Sequence, residues 1–472
     1  MFILSLFVLP LFITLTEMWH SDILLEFEPL EVNPRSLTFD IPPNNVCSSI
    51  DLVYLWVNGS DPAIPRAIAE MTNKPYVERG RLRDIPTLRY SMRAAATFAP
   101  FLRNIVLVTN GQVPVWLNTS HPRVRVVTHK EIFEKEDALP TFNSNAIEAQ
   151  LPRIPGIAPC WFYQNDDFSF GRPVKISDWI DLESGKQHLA FDSWRAPEVS
   201  LMRKNIWHAS VGYSNHLINK FYHPDTDADA TPTSPTNHRH NYEGHNTRLF
   251  QQRYLDMIYS RWRDEFIRTT YSRFRQRNDT ALPFMYNNVV LEEGGGSPSR
   301  KLRNGFTYSS FKPSARSVAA TLRGFMRDEP ISWCLNDGAG VIDTPKKEKD
   351  YNDAVQTLET IMSRRFPYPA EFELHEPGQQ TIPRTLAEYA ELERKKKEAE
   401  PEAGVLGAEA LNTGEEKKPT AAHILSPIFR AIICVWLLAM LYWLYKILQS
   451  CFINPDHERS SKYGRQSKIH DV

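Results

Sequence analysis

The sequence predicts an α/β domain built on a parallel sheet with helices on both faces. Three observations predict it. Short apolar runs recur at DLVYLWV (51–57), NIVLVT (104–109), residues 124–128 and CWFYQ (160–164). Segments with helical spacing, 87–99 and 145–153, fall between them. The runs are apolar throughout rather than alternating, which marks strands buried on both faces and joined by crossover helices.

The elements follow in order. Residues 17–46 read as an extended lead-in containing Pro29, Pro34, Pro42 and Pro43. The ordered region starts near Cys47. The first strand ends in Asn58-Gly59-Ser60-Asp61-Pro62, a tight turn whose backbone N–H groups can face a phosphate or a base. Turns rich in Asn and Gly are also common without a ligand. On the 87–99 helix, Arg89 and Arg93 stand four apart on one face, as donors to phosphate or as a solvated stripe. The 160–164 strand runs into Asn165-Asp166-Asp167. In open parallel sheets ligands bind just beyond the carboxyl ends of the strands. Two adjacent carboxylates there can hold a hard divalent cation. A helix cap or turn is the alternative, since Asn and Asp favour both.

Residues 224–243 form a polar loop. Asp225, Asp227 and Asp229 imitate the start of a calcium loop, but Ala230 replaces the needed glycine. From 246 to 277 Arg and aromatic residues recur at helical spacing, and a Gly-rich turn follows at 294–296. Residues 353–365 form a helix stopped by Pro367 and Pro369. Residues 376–423 are charged and rich in Ala, Glu and Lys, which reads as a stalk.

Two apolar segments frame the chain of 472 residues. Residues 1–20 read as a signal peptide or signal-anchor. Residues 424–448 read as a transmembrane helix, flanked by Arg430 and Lys446 and carrying Trp436, Tyr442, Trp443 and Tyr445 for the interfaces. The tail 449–472 carries Arg459, Lys462, Arg465 and Lys468, which places it in the cytosol and the large middle region in the lumen. Three sequons, at Asn58, Asn118 and Asn278, agree with a lumenal location. Net charge is −1, so nothing marks a nucleic-acid footprint. Of five cysteines, Cys47, Cys160 and Cys334 fall on the lumenal side, enough for one disulfide and one leftover thiol. No CxxC motif or Cys/His pairing points to zinc.

At this point the strings become specific. DLVYLWVNGSDP (51–62) resembles the first conserved block of the Stealth family. That family includes the catalytic subunit of lysosomal-enzyme N-acetylglucosamine-1-phosphotransferase, bacterial capsule sugar-phosphate polymerases and a fungal xylosylphosphotransferase. The second block resembles the stretch from Leu88 through IVLVTNGQVPVWLN (105–118), LPTFNSNAIEAQLPRIPG (139–156) and FYQNDDFSFG (162–171). A third resembles His245 through SRFRQRNDT (272–280) to YNNVVLEEG (286–294), and a fourth SWCLNDG (332–338) with FPYPAEFE (366–373).

The resemblance implies a Stealth-type catalytic domain over about 47–375. It implies a GT-A-like, Rossmann-like nucleotide-sugar transferase fold with an added helical section. It implies Glu148, Asp167, His245 and Arg275 as catalytic residues, with Asp166 and Asp167 on a divalent cation, Mn2+ or Mg2+. Arg89, Arg93, Asn58 and Asn336 become substrate-binding candidates, and Cys334 a structural cysteine paired with Cys160 or Cys47. The implied reaction moves a sugar-1-phosphate from a UDP-sugar, GlcNAc or xylose, to a glycan hydroxyl, with mannose on a glycoprotein as acceptor. The implied setting is the Golgi or another secretory-pathway membrane. Conventional glycosyl transfer releasing UDP, and a non-catalytic lumenal glycan-binding subunit, are the rival readings. Oligomeric state stays open, a homodimer included.

Overall fold

The computed structural model of the protein describes residues 27–30, 46–75, 83–193, 195–196, 199–224 and 238–399. The expected N-terminal signal segment, the second half of the expected stalk, the expected span at 424–448 and the expected cytosolic tail lie outside the described residues. No helix among the described residues is long and apolar enough to cross a membrane. One compact unit covers 1–397; of the second unit, 398–472, only two residues are described.

The central sheet has five strands: β1 (Ile50–Leu55), β2 (Ile105–Thr109), β3 (Val124–Thr128), β4 (Cys160–Asn165) and β7 (Arg248–Gln251), in the order β3-β2-β1-β4-β7. The first four run parallel, as the unbroken apolar runs require. The fifth departs from the all-parallel expectation, because β7 pairs antiparallel with β4. Its residues belong to the stretch 246–277 that the sequence presents as helical throughout; helices begin only at Gln252.

The sheet is two-faced. Leu52, Tyr54, Leu107 and Phe162 point into one apolar cluster, and Val53, Val106, Val108, Trp161 and Tyr163 into another. The first is covered by α1 (Thr87–Phe98), α7 (Ala315–Asp328) and α8 (Pro345–Arg365), the second by α3 (Ile206–Tyr222), α4 (Gln252–Arg261) and α6 (Leu282–Glu292). Two elements differ in length from the sequence reading. The helix expected over 145–153 is α2 (Ser144–Glu148) followed by a 3-10 turn at Leu151–Arg153, where Pro152 has no N–H to continue the α pattern. The helix expected over 353–365 starts eight residues earlier, at Pro345, because the Thr344 side chain caps Lys347 N and Pro345 suits the first turn.

A second sheet sets the site. β5 (Phe168–Phe170) leaves β4 after the two-residue turn at Asp166–Asp167 and pairs antiparallel with β10 (Ser332–Asp337), which pairs parallel with β9 (Phe306–Phe311). A buried polar chain locks the two sheets: Gln164 Nε2 donates to Thr247 Oγ1 (2.8 Å), whose hydroxyl meets Ser332 Oγ (2.5 Å). At the amino ends, the buried Asp51 accepts from Arg103, Asn104 N and Ala158 N, and a Cys47–Cys160 disulfide ties the entry of β1 to β4.

Candidate active site

Strand order reverses at β1: the chain moves outward to β2 and β3, then returns to add β4 on the other side. The crevice at such a switch point, beyond the carboxyl ends of the strands, is where open α/β sheets bind ligands. Leu55 and Asn165 sit side by side at those ends, and Asp166 and Asp167 follow.

Asp167 is held by β10. Its carbonyl accepts from Leu335 N (2.9 Å), and its Oδ2 accepts from Asn336 Nδ2 (3.1 Å) and lies 3.3 Å from Cys334 Sγ. His245, in the lead-in to β7, places Nε2 3.9 Å from the same Oδ2, beyond hydrogen-bond length. Its ring stands edge-on to Phe168 and to Tyr308. Burial by itself raises the Asp167 carboxyl, but His245, Asn336 and Cys334 outweigh it and hold the group below its ordinary value. The neighbouring Asp166 behaves oppositely: burial, then the charge of Asp167, then that of Asp84 push it well above the carboxylate range. Asp84 is itself raised by burial and accepts from Trp56 Nε1 at 3.0 Å. Asp166 thus bears the charge of two neighbouring carboxyl groups, the like-charge arrangement a divalent cation relieves.

Glu148 ends α2 on the other flank. Tyr163 Oη lies 2.8 Å from Glu148 Oε1 and 2.7 Å from Asn165 Oδ1. The hydroxyl has one proton, so Glu148 and Asn165 compete as acceptors for it. Burial raises the Glu148 carboxyl, against the pull of Tyr163 and the positive charges of Arg248, Arg275 and His245. Arg275 reaches α2 through Nη2 to Ser144 Oγ (2.6 Å). Arg248 lies opposite Tyr163 across β7 and β4, donates to Gly244 O (2.6 Å) and approaches Glu243 Oε1 at 3.4 Å. Burial pushes Glu243 up to about 7, partly offset by Arg248. Thus Glu148, Asp166, Asp167, His245, Arg275 and Asn336 gather in one electrostatic neighbourhood.

Several expected residues are placed differently. Arg89 and Arg93 do not face a ligand: both bind the fully buried Glu373, through Arg89 Nε (2.6 Å) and Arg93 Nε and Nη2 (2.6 and 2.9 Å). The four-residue spacing was right about the shared face, but that face packs inward. Cys334 is not in a disulfide; Cys47 pairs with Cys160, and the Cys334 thiol stands at Asp167, with burial first and then the Asp167 charge raising it well above its ordinary value. Asn58 uses its Oδ1 on Ser60 N (3.0 Å) and its backbone N–H on Gln112, so it shapes its own turn. Tyr163, Glu243, Arg248 and Asp84 were not singled out in the sequence. None carried a local signal: Arg248 stands in β7, inside the stretch the sequence presents as helical.

The donor set fits a divalent cation. Asp167 Oδ1 and His245 Nε2 are buried with no hydrogen-bond partner among the described residues, and Asp167, His245 and Cys334 each offer one ligand atom within 4.8 Å of the others.

Residues 48–63 match Stealth protein conserved region 1, and residues 81–188 match Stealth protein conserved region 2. The matched stretches include Glu148, Asp166 and Asp167 and stop short of His245 and Arg275. Among similar proteins, exopolysaccharide phosphotransferase SCO2594 of Streptomyces coelicolor is 32% identical over 69% of this chain and 51% of its own length. SCO6023 of the same organism is 31% identical over 71% and 54%, and CpsY of Mycobacterium tuberculosis 28% over 70% and 59%. The chain therefore spans little more than half the length of the curated relatives it matches. The galactosyltransferase LgtC, solved with donor and acceptor sugar analogues, aligns with 65% of this chain and 95% of its own, at 10% identity and a TM-score of 0.32, too slight a likeness to carry an argument. Stealth conserved regions 1 and 2 thus stand in sequence order in this chain, framing the first strand and the acidic turn.

Proposed function

We propose that this chain transfers a sugar-1-phosphate from a UDP-sugar to a glycan hydroxyl and releases UMP. The observation that carries the reading is a set of buried polar atoms at the ends of β4 and β7 that have no hydrogen-bond partner among the described residues: Asp167 Oδ1, His245 Nε2, Glu243 Oε2 and Arg248 Nε. Buried polar atoms are costly unless something pairs with them, and acids mixed with cations suit a metal-bound diphosphate. The names of the relatives, exopolysaccharide phosphotransferases, support the same reaction class. The parallel core with its acidic turn at the switch point supports a GT-A-like assignment.

Asp167 and His245 would hold a divalent cation, with Asp166 beside them; bound there, it would offset charge on the diphosphate. Arg275 and Arg248 offer planar donors to phosphate oxygens. The acceptor oxygen attacks the β-phosphorus, the bond from that phosphorus to the bridging oxygen breaks, and UMP carries away the electron pair. Glu148 takes the hydroxyl proton. Its raised pKa brings it nearer neutrality than an ordinary glutamate, which suits a general base. Donor sugars are GlcNAc or xylose, and the acceptor is mannose on a glycoprotein. The setting is a secretory-pathway membrane, with 424–448 as anchor; the Cys47–Cys160 disulfide supports an oxidising compartment.

The test is the product nucleotide. Purified chain with UDP-GlcNAc or UDP-xylose, a mannoside and Mn2+ should release UMP; release of UDP would overturn the reading in favour of conventional glycosyl transfer. Glu148→Gln should lower the rate about 10²-fold. Because the charged form is the base, the wild-type rate should rise with pH through a limb lying above 4.5, the ordinary glutamate value. A rate flat across that limb would remove Glu148 from the role.

A further inference from the structure

A second cluster lies outside the catalytic set. His223 follows α3, Glu292 ends α6, and His240 lies on the strand-free segment that leads to β7. His223 Nε2 and His240 Nε2 each stand 3.1 Å from the same oxygen, Glu292 Oε1. One ligand atom from each of the three falls within 4.8 Å of the others.

The hydrogen bonds around His240 fix its tautomer. Asn215 Nδ2 donates to His238 O (2.8 Å), so its Oδ1 is the acceptor, and that oxygen receives His240 N (3.0 Å). His240 Nδ1 lies 3.0 Å from the same Oδ1 and must therefore donate. In the neutral ring this leaves Nε2 as a lone pair aimed at a carboxylate oxygen, in a side chain only 3% exposed. Two lone pairs at that distance repel unless a cation lies between them. The second nitrogen of a metal-bound histidine usually donates to an oxygen in this way. Tetrahedral zinc, with bonds of about 2.0–2.1 Å, sets its ligands roughly 3.3 Å apart, close to the observed spacing. His223 and Glu292 are part-exposed, 31% and 22%, so an ion can enter and a water can complete the shell. The His238 ring stands edge-on to that of His240 and tilted beside that of His223.

We propose that His223, His240 and Glu292 bind a divalent transition metal, zinc by the chemistry of the donors. His240 precedes Glu243 by three residues and His245 by five. The ion thus ties the segment carrying two catalytic-site side chains to the ends of α3 and α6. The sequence offers no zinc motif because the ligands come from positions 223, 240 and 292, brought together only by folding.

The test counts zinc in the full chain carrying Asp167→Ala, which removes the catalytic carboxylate as a competing ligand. After chelator treatment and dialysis against micromolar Zn2+, this variant should hold one zinc per chain and melt at a higher temperature than its zinc-free form. Adding His240→Ala or Glu292→Gln should weaken zinc binding more than about 100-fold, beyond what loss of an outer partner costs. His223→Gln, at a part-exposed helix end, provides the same test with little risk to folding. No stoichiometric zinc in Asp167→Ala, or full zinc retention in folded His223→Gln and Glu292→Gln, would overturn the site and leave protonated histidines paired with Glu292.

Discussion

Asp167→Asn is expected to slow transfer on the order of 10²–10³-fold while the protein stays folded. The substitution keeps the shape and an acceptor for Asn336 Nδ2, so the link to β10 survives. What it removes is the one carboxylate of the acidic turn that its neighbours hold ionised. It also removes the charge that, after burial, contributes most to raising Asp166. Folding should therefore be no weaker, and Asp166 should ionise at lower pH. UMP release and a thermal melt check both halves. Transfer within tenfold of wild type would show that Asp167 is not at the reacting phosphates.

Glu373→Ala is expected to destabilise the domain by about 3–5 kcal/mol, the cost of stranding a buried partner charge. The Glu373 carboxylate is fully buried and accepts from Arg89, Arg93 and Ala370 N. Arg93 is 8% exposed and would keep Phe366 O and the Tyr90 ring but no carboxylate among the described residues. Arg89 is 33% exposed, so Arg89→Ala should cost far less and leave the KM for the nucleotide-sugar unchanged. Burial alone would raise the Glu373 carboxyl, but Arg93 and Arg89 hold it below the ordinary 4.5. A depressed carboxylate stabilises the fold above its unfolded value and loses that contribution as the pH falls through the folded one. The difference in melting temperature between wild type and Glu373→Ala should therefore narrow below about pH 4.5. A constant difference down to pH 3 would mean that packing rather than charge dominates there.

The four parallel strands were legible because burial on both faces leaves an unbroken apolar run. The acidic turn was legible because it follows such a run directly. β7 was not: four residues beside a helical stretch give no period of their own, and its antiparallel pairing with β4 is a tertiary choice. Cys334 was misread for a related reason. Three cysteines over 47–334 leave the choice of pair open, and nothing local shows that β10 will lay Cys334 against Asp167.

By itself the sequence marked candidates: Asp166 and Asp167 directly after an apolar run, Glu148 through the string that resembles the second Stealth block, and the order of the Stealth regions. Each is a local signal, written in neighbours along the chain. Only the tertiary structure decided which charges face the crevice and which face the core. It turned Arg89 and Arg93 inward onto Glu373, brought Arg248 and Glu243 to Glu148, and joined His223, His240 and Glu292. The physical reason is that a long-range ion pair or ligand set depends on strand pairing and helix packing. Those are decided by burying apolar surface across the whole domain, not by the spacing of the charges that end up together.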